Sequence, residues 1–456
     1  MLTVQTKSRV AEAPPARATV ADTLAVAGVV FVPVLARGVL ARRPRIVALA
    51  EAVQADRRAG RLLQRLRARY GPGPLRLAVP GRSFVLILSP GDVERVLTWS
   101  PEPFALASKE KRAALAHFQP HGVLASHGKE RADRRRFNED VLDSAQPVHR
   151  HADALVAKVC QEADALVGAV ALAGRLDWAD FRMAWWRMVR RVVLGDAARD
   201  DSEISDLLTM LRMNSNWAFA HPRRARVRAE FFGRLRRYLA DPEPGSLAGV
   251  MAAATKSEVT DPDDQVPQWL FAYESAALAA FRTLALLASY PEHAQRARRE
   301  AEAGDAGLPF LRACVQESVR LWPTTMTILR DSTRVTEWAG ETLPAGTGFL
   351  IHTPFLQRDD ETLPYADSFE PGIWLDGTAE RDWAVVPFSK GPGQCPGRNL
   401  SLLSASHFLA ALLRGYELRQ DAGRCLPADR ALPRTLSPFR LGFDARPCSA
   451  RGGDEG

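Results

Sequence analysis

PFSKGPGQCPGRNL, Pro387 to Leu400, decides how the rest of the chain is read. Gly391 and Gly393 permit backbone angles and close approaches that a side chain would block. Pro396 supplies a helical φ and has no N–H to leave unsatisfied, as suits the first turn of a helix. Beyond it, Leu402, Leu403, Ala405, Phe408, Leu409, Leu412 and Leu413 recur on one apolar face, so a long helix is expected after Gly397. Cys395 then stands at a helix N-terminus, where free N–H groups and the helix dipole favour a thiolate. Such a sulfur suits a nucleophile or a metal ligand. No histidine lies near it in sequence to serve as its base.

Outward from this loop, the 456 residues are 46% hydrophobic, enough for one large domain or two or three ordinary ones. The net charge of +8 suits an anionic partner. No tract joins a dense basic stripe to interleaved aromatics, so nucleic-acid binding is not expected. Cysteines 160, 314, 395, 425 and 448 are widely spaced and form no CxxC pair. That argues against a disulfide framework or a four-cysteine zinc site and fits a reducing cytoplasm.

Residues 1–22 read as a loose tail and 23–43 as an apolar and basic N-terminal helix. Its apolar run, 23–36, is short for a bilayer and interrupted by Pro33, so it is expected to pack on the body of the protein. Shallow membrane contact is the alternative. Pro44 to Tyr70 has helical spacing, and Leu75 to Leu88 alternates around Pro80-Gly81 as a hairpin. Helices dominate from 128 to 322, with breaks expected at Asp241–Gly245 and Asp261–Pro267. Short strands follow between Ile328 and Thr353, with a turn at Leu343–Gly346. The pattern is mainly α with small β-sheets, and without βαβ alternation it argues against Rossmann and TIM-barrel folds.

The loop pattern F-x-x-G-x-x-x-C-x-G, from Phe388 to Gly397, resembles the haem-binding loop of the cytochrome P450 family. Three further segments are similar to that family in the right order. PFLRACVQESVRLWP carries Glu317 and Arg320 on one helical face, like the family's Glu-x-x-Arg. Gln357-Arg358-Asp359 and Phe369-Glu370-Pro371 resemble the segments between the two motifs. Counting back 16 positions from Pro291 gives Ser275, where the family usually has threonine, with Glu274 in its acid position. A register using Arg282 and Thr283 would put a cation in the acid slot and is rejected. The resemblance runs from about residue 44 to 443 and is most specific from 268 to 415.

The resemblance implies a single large triangular cytochrome P450 fold over 44–446, a bacterial-type stand-alone haem domain, with a C-terminal tail at 447–456. It makes Cys395 the axial thiolate of haem b, iron protoporphyrin IX. Phe388 would pack on the haem or its loop, and Gly391 and Gly397 would let backbone approach sulfur and porphyrin. Arg131, Arg135 and Arg330 would pair with haem propionates, while Arg134 and Arg136 point elsewhere. Two departures stand out. Gly393 replaces a common arginine or histidine, and Ile373 replaces an arginine that usually joins Glu317 and Arg320.

The implied activity is insertion of one oxygen atom from O2 into an apolar small molecule, by hydroxylation or epoxidation. Glu274 and Ser275 would relay protons, with serine a looser relay than threonine because it lacks the methyl that restricts its rotamer. Electrons would come from ferredoxin and ferredoxin reductase, or an equivalent donor, because the chain shows no flavin or iron–sulfur module. Lys390 would help dock an acidic donor. A cytoplasmic monomer is expected. Alternatives are peroxide-driven, coupling or isomerisation chemistry on the same fold, and a non-catalytic haem-binding protein. Segments 109–124 and 200–240 are the expected substrate pocket, with Phe118, Trp217, Phe219, Phe231 and Phe232.

Overall fold

Four aromatic side chains from three helices meet in the middle of the molecule. Phe181 packs on Phe281 at 4.9 Å between ring centroids, and Phe181 and Trp185 both meet Phe408 edge-on at 5.3 and 5.2 Å. These contacts bind Trp178–Leu194, Pro262–Ser289 and Arg398–Gly415 into the main core. Ala152–Ala173 and Pro309–Leu321 complete it. Offset and edge-on ring pairs add about 0.5–1.5 kcal/mol each beyond the area they bury. The computed structural model describes residues 14–421 and 425–447. Cys448 therefore lies outside the described residues.

A six-stranded sheet flanks the helices, in the order Ala16–Arg17, Leu75–Leu77, Phe84–Ile87, Gly348–His352, Thr327–Ser332, Phe104–Ala105. The expected hairpin at Pro80-Gly81 is its second and third strand, paired antiparallel. A three-stranded sheet joins Tyr416–Gln420, Gly442–Pro447 and Arg175–Asp177, and a two-stranded one follows Thr336. The turn after Leu343 is present, as is the long helix after Gly397.

Several boundaries differ from the sequence expectation. Part of the expected loose tail has regular structure: Ala16 and Arg17 pair with Leu75 and Arg76, and a helix begins at Val20, capped by Thr19. Pro33 does not interrupt that helix. A π-helical turn at Ala27–Phe31 precedes the proline, and helix resumes over Val32–Arg37. Wider turns of this kind absorb local strain within a helix. The expected helix from 44 to 70 is two, Pro44–Ala52 and Ala55–Tyr70, separated at Gln54, whose φ is +45°. Pro267 lies inside Pro262–Ser289 rather than before it. Pro447 belongs to the final strand, not to the expected tail.

Among the described residues two helices are long and apolar enough to cross a membrane, Val20–Arg37 and Pro262–Ser289. The second is a core helix, mostly buried. The first keeps Val20, Leu24, Val32 and Leu35 exposed.

Candidate haem-thiolate site

The cysteine loop is held at three of its carbonyls. Cys395 N–H donates to Phe388 O at 2.9 Å, Arg135 Nη1 donates to Gln394 O at 2.6 Å, and Ser144 Oγ donates to Pro396 O at 2.7 Å. Pro396 falls in the turn before the helix, which starts at Arg398. The N–H groups of Gly397 and Arg398 still lie close enough to the cysteine sulfur to favour its charged form. Burial pushes the Cys395 thiol up. Those two N–H groups and the charges of Arg135 and Arg398 oppose this but do not overcome it. The expected thiolate therefore does not follow from the helix terminus alone. Iron would have to complete it.

The loop glycines meet different surroundings. Gly391 has φ +65°, and a Cβ there would sit 2.5 Å from Leu97 O, so this glycine is required by packing on the helix Pro90–Thr98. At Gly397 protein atoms make no such demand, the nearest lying 3.9 Å away. Phe388 packs, half-buried, against the main core. Gly393 has a clear cause. A Cβ there would lie 3.0 Å from Arg330 Nη2 and 3.3 Å from Leu106, so the Arg330 guanidinium fills the space a side chain at 393 would take.

Arg330 lies on the strand Thr327–Ser332 and donates to Ser100 Oγ and Leu329 O, with a long contact to Ser389 Oγ. Burial, reinforced by the charge of Arg131, lowers it to about 9. Arg131, also buried, is lowered by burial and by Arg135, and its Nε has no hydrogen-bond partner. Lys111 is a third member, lowered to about 7 by burial and then by Arg330. Its Nζ donates to Leu106 O. Two buried arginines and a half-buried lysine thus gather beside the cysteine loop. A pair of carboxylates is the charge this cluster lacks, and haem carries two propionates. The donor set fits the group: a sulfur in a cradle, and cations with unused N–H groups next to it.

Arg135 corrects the expectation. Its Nε is taken by Glu139 at 2.6 Å and its Nη1 by the loop carbonyl, so it anchors the loop. Arg134 and Arg136 do point elsewhere, the former to Ser126, Val259 and Asp261, the latter to Asp133. Lys390 is also spent: its Nζ donates to the carbonyls of Ala379, Glu380 and Asp382, and burial lowers it to about 8. It is a strut beneath the loop and not a docking cation.

Glu317 and Arg320 are fully buried and doubly bonded, at 2.6 and 2.8 Å. Arg320 also donates to the carbonyls of Gln357, Tyr365, Ala366 and Ser368. Ile373 packs with Ala379 and Val385, so no arginine approaches from that position. Its neighbour Trp374 closes the arrangement instead, donating Nε1–H to Glu317 Oε2 at 2.9 Å, while Glu370 N–H donates to Oε1.

On the long helix, Glu274 pairs with Arg212, whose guanidinium lies over Phe271 at 4.4 Å and donates to Leu40 O. Trp185 Nε1 fixes the turn before it through Tyr273 O at 2.9 Å. Among the described residues the Ser275 hydroxyl has no hydrogen-bond partner. Thr283, by contrast, bonds back to Ala279 O, and Arg282 turns to Trp322 O and Leu436 O. Of the expected pocket aromatics, Phe118 meets Phe271 edge-on at 6.3 Å. Phe231 and Phe232 are core. Trp217 is exposed, and Phe219 lines an open cleft of about 680 Å³ with Lys109, Arg112, His117 and Arg223.

This fold and loop define a class, the cytochrome P450 architecture. The structure matches a cytochrome P450DA haem domain with a TM-score of 0.70 at 18% identity, over 86% of this chain and 92% of that one. Retinoic-acid-bound cyanobacterial CYP120A1 matches with 0.69 at 17% identity, over 84% and 94%. In sequence, the family model described as Cytochrome P450 matches residues 270–438. Cytochrome P450 4c21 of Blattella germanica is 30% identical over 185 residues, 37% of each chain. Cyclooctat-9-en-7-ol 5-monooxygenase of Streptomyces melanosporofaciens is 30% identical over 176 residues, 36% of this chain and 38% of that one. The matched stretch thus spans little more than a third of those relatives. Over residues 270–438, less than half of the chain, the sequence is similar to the cytochrome P450 family, and the fold extends that likeness to most of the remainder.

Proposed function

We propose that the protein is a haem-thiolate monooxygenase that inserts one oxygen atom from O2 into an apolar small molecule, by hydroxylation or epoxidation. The carrying observation is the Arg131–Arg330–Lys111 cluster beside the cradled Cys395, which has the sulfur and the cations for haem b, while the acids within range, Asp331 and Glu139, are already paired with Arg82 and Arg135. When bound, the haem supplies the oxygen-activating chemistry.

The chain's own residues do the rest. Cys395 holds the iron through sulfur, and the N–H groups of Gly397 and Arg398 spread the charge of its thiolate. Arg131 and Arg330 hold the propionates, with Lys111 behind them. Glu274 collects protons at its carboxylate, and Ser275 Oγ passes them on through water. Arg212 pins Glu274, so the carboxylate must leave that partner to deliver. Ser275→Ala should lower the ratio of product formed to electrons consumed, and unchanged coupling would remove Ser275 from the relay.

Electrons come from ferredoxin and its reductase, or an equivalent donor. The net charge of +8 suits an acidic one. The protein works as a cytoplasmic monomer, with surface contact through 23–36 where the helix keeps apolar residues outward. A reduced carbon-monoxide difference spectrum tests the centre of this reading: a thiolate-type band is expected, and its absence in haem-loaded protein would sink it. Oxygen consumption with surrogate redox proteins and a bound substrate then separates monooxygenation from peroxide-driven or non-catalytic roles.

A further inference from the structure

A cavity of about 30 Å³ lies beside the long helix, lined by Arg37, Arg42, Arg282 and Arg434 with Leu278, Met326, Leu436 and Phe439. Its one acidic lining residue is Asp56. That carboxylate is already spent. Arg37 grips it with two hydrogen bonds, at 2.8 and 2.9 Å, and Thr435 Oγ1 donates to it as well. Arg434 is likewise compensated, by Asp367 and Asp360.

Arg42 and Arg282 remain. Neither has an ion-pair partner among the described residues. Arg42 donates only to the carbonyls of Gly38 and Thr324, and Arg282 only to those of Trp322 and Leu436. Arg282 is 91% buried, and its Nε has no partner at all. The other acids within electrostatic range are engaged too: Glu274 by Arg212, and Glu51 by Ser437 N–H and Arg440. Burial lowers Arg42 to about 10 and Arg282 to about 9, and the charge of Arg42 contributes to the second shift. Arginine keeps its proton at neutral pH even so, leaving two positive charges, Arg282 buried and Arg42 half-buried, facing one small space.

We propose that Arg42 and Arg282 form a binding site for a small monovalent anion, a carboxylate or a halide, in this cavity. The space suits one such group and no larger head. Leu278, one helical turn beyond Ser275 on the same helix, and Met326 give the cavity an apolar wall. The anion could thus be a free ion or the carboxylate end of a longer apolar molecule. The second source rests on the monooxygenase reading; the site itself does not.

The test uses the haem-loaded full chain, in buffer of fixed ionic strength whose anion is a bulky sulfonate. Replacing the sulfonate by chloride or acetate should raise Tm by about 2 °C or more. Arg42→Met and Arg282→Met should each remove most of that response, whatever their starting Tm. Using two variants keeps the outcome readable if one folds poorly. Decanoate and its methyl ester separate the sources. If the substrate carries the anion, decanoate shifts the haem absorption band in wild type, about tenfold more weakly in either variant, and the ester shows no such difference. If only chloride and acetate act, the site takes free ions. An equal response to all anions, or one that both variants retain, overturns the site. Failure of the monooxygenase reading would appear separately, in the carbon-monoxide spectrum.

Discussion

Glu317–Arg320 and Arg131–Arg330 are both sets of deeply buried charge, yet they are built on opposite principles. The first is closed: both carboxylate oxygens are filled by Arg320, Glu370 N–H and Trp374, and Arg320 donates its remaining hydrogens to carbonyls. The second is open: like charges face one another, and Arg131 Nε has nothing to donate to. A closed set holds the chain together. An open set signals a partner that the polypeptide does not supply.

The sharpest way to break the contrast is to open the closed set. Glu317→Gln or Arg320→Met should cost about 3–5 kcal/mol, because each strands a buried charge or its donors. Urea unfolding should show the loss with haem and without it. Next comes His352, a buried base that, unlike arginine, can shed its proton. Burial lowers it to about 4, while the unfolded chain keeps the ordinary 6.5. Between those values the unfolded state binds more protons, so stability is full above pH 6.5 and falls as pH drops to about 4. The loss is about 3 kcal/mol. His352→Gln should flatten that limb, and a limb unchanged in the variant would refute the assignment.

Trp374→Phe keeps the ring and removes one hydrogen bond to a charged acceptor, an expected loss of about 1.5–3 kcal/mol by the same urea measurement. The smallest stability effect is expected in the open set. Arg330→Met should change the haem-free chain by less than about 1 kcal/mol, since it relieves a repulsion. The same variant should lose haem faster to a competing haem acceptor. A large loss of haem-free stability, with retention unchanged, would make Arg330 a purely structural residue.

The sequence carried the cysteine loop, the Glu317–Arg320 pair and the long helices, because each is local: a spacing, a period or a run of loop-forming residues. What escaped was decided by packing. Trp374 stands one position from Ile373, and only the turn of Gly372–Leu375 shows which of the two faces Glu317. Lys111 reads in KEKR as a solvated charge, and only the fold brings it behind Arg330. Arg135 and Lys390 look like available cations in sequence, because a sequence does not show which carbonyls lie opposite them. Ala16–Arg17 is too short to have a period, so its strand depended on a partner 59 residues away.

The close approach of Gly393 and Arg330 also couples two positions far apart in the chain. A Cβ at 393 would press within 3.0 Å of Arg330 Nη2, so any larger residue there must push the strand's guanidinium aside by a few tenths of an ångström. Positive charge beside the cysteine is thus delivered from the strand, and the loop is left as bare backbone that can lie close against it.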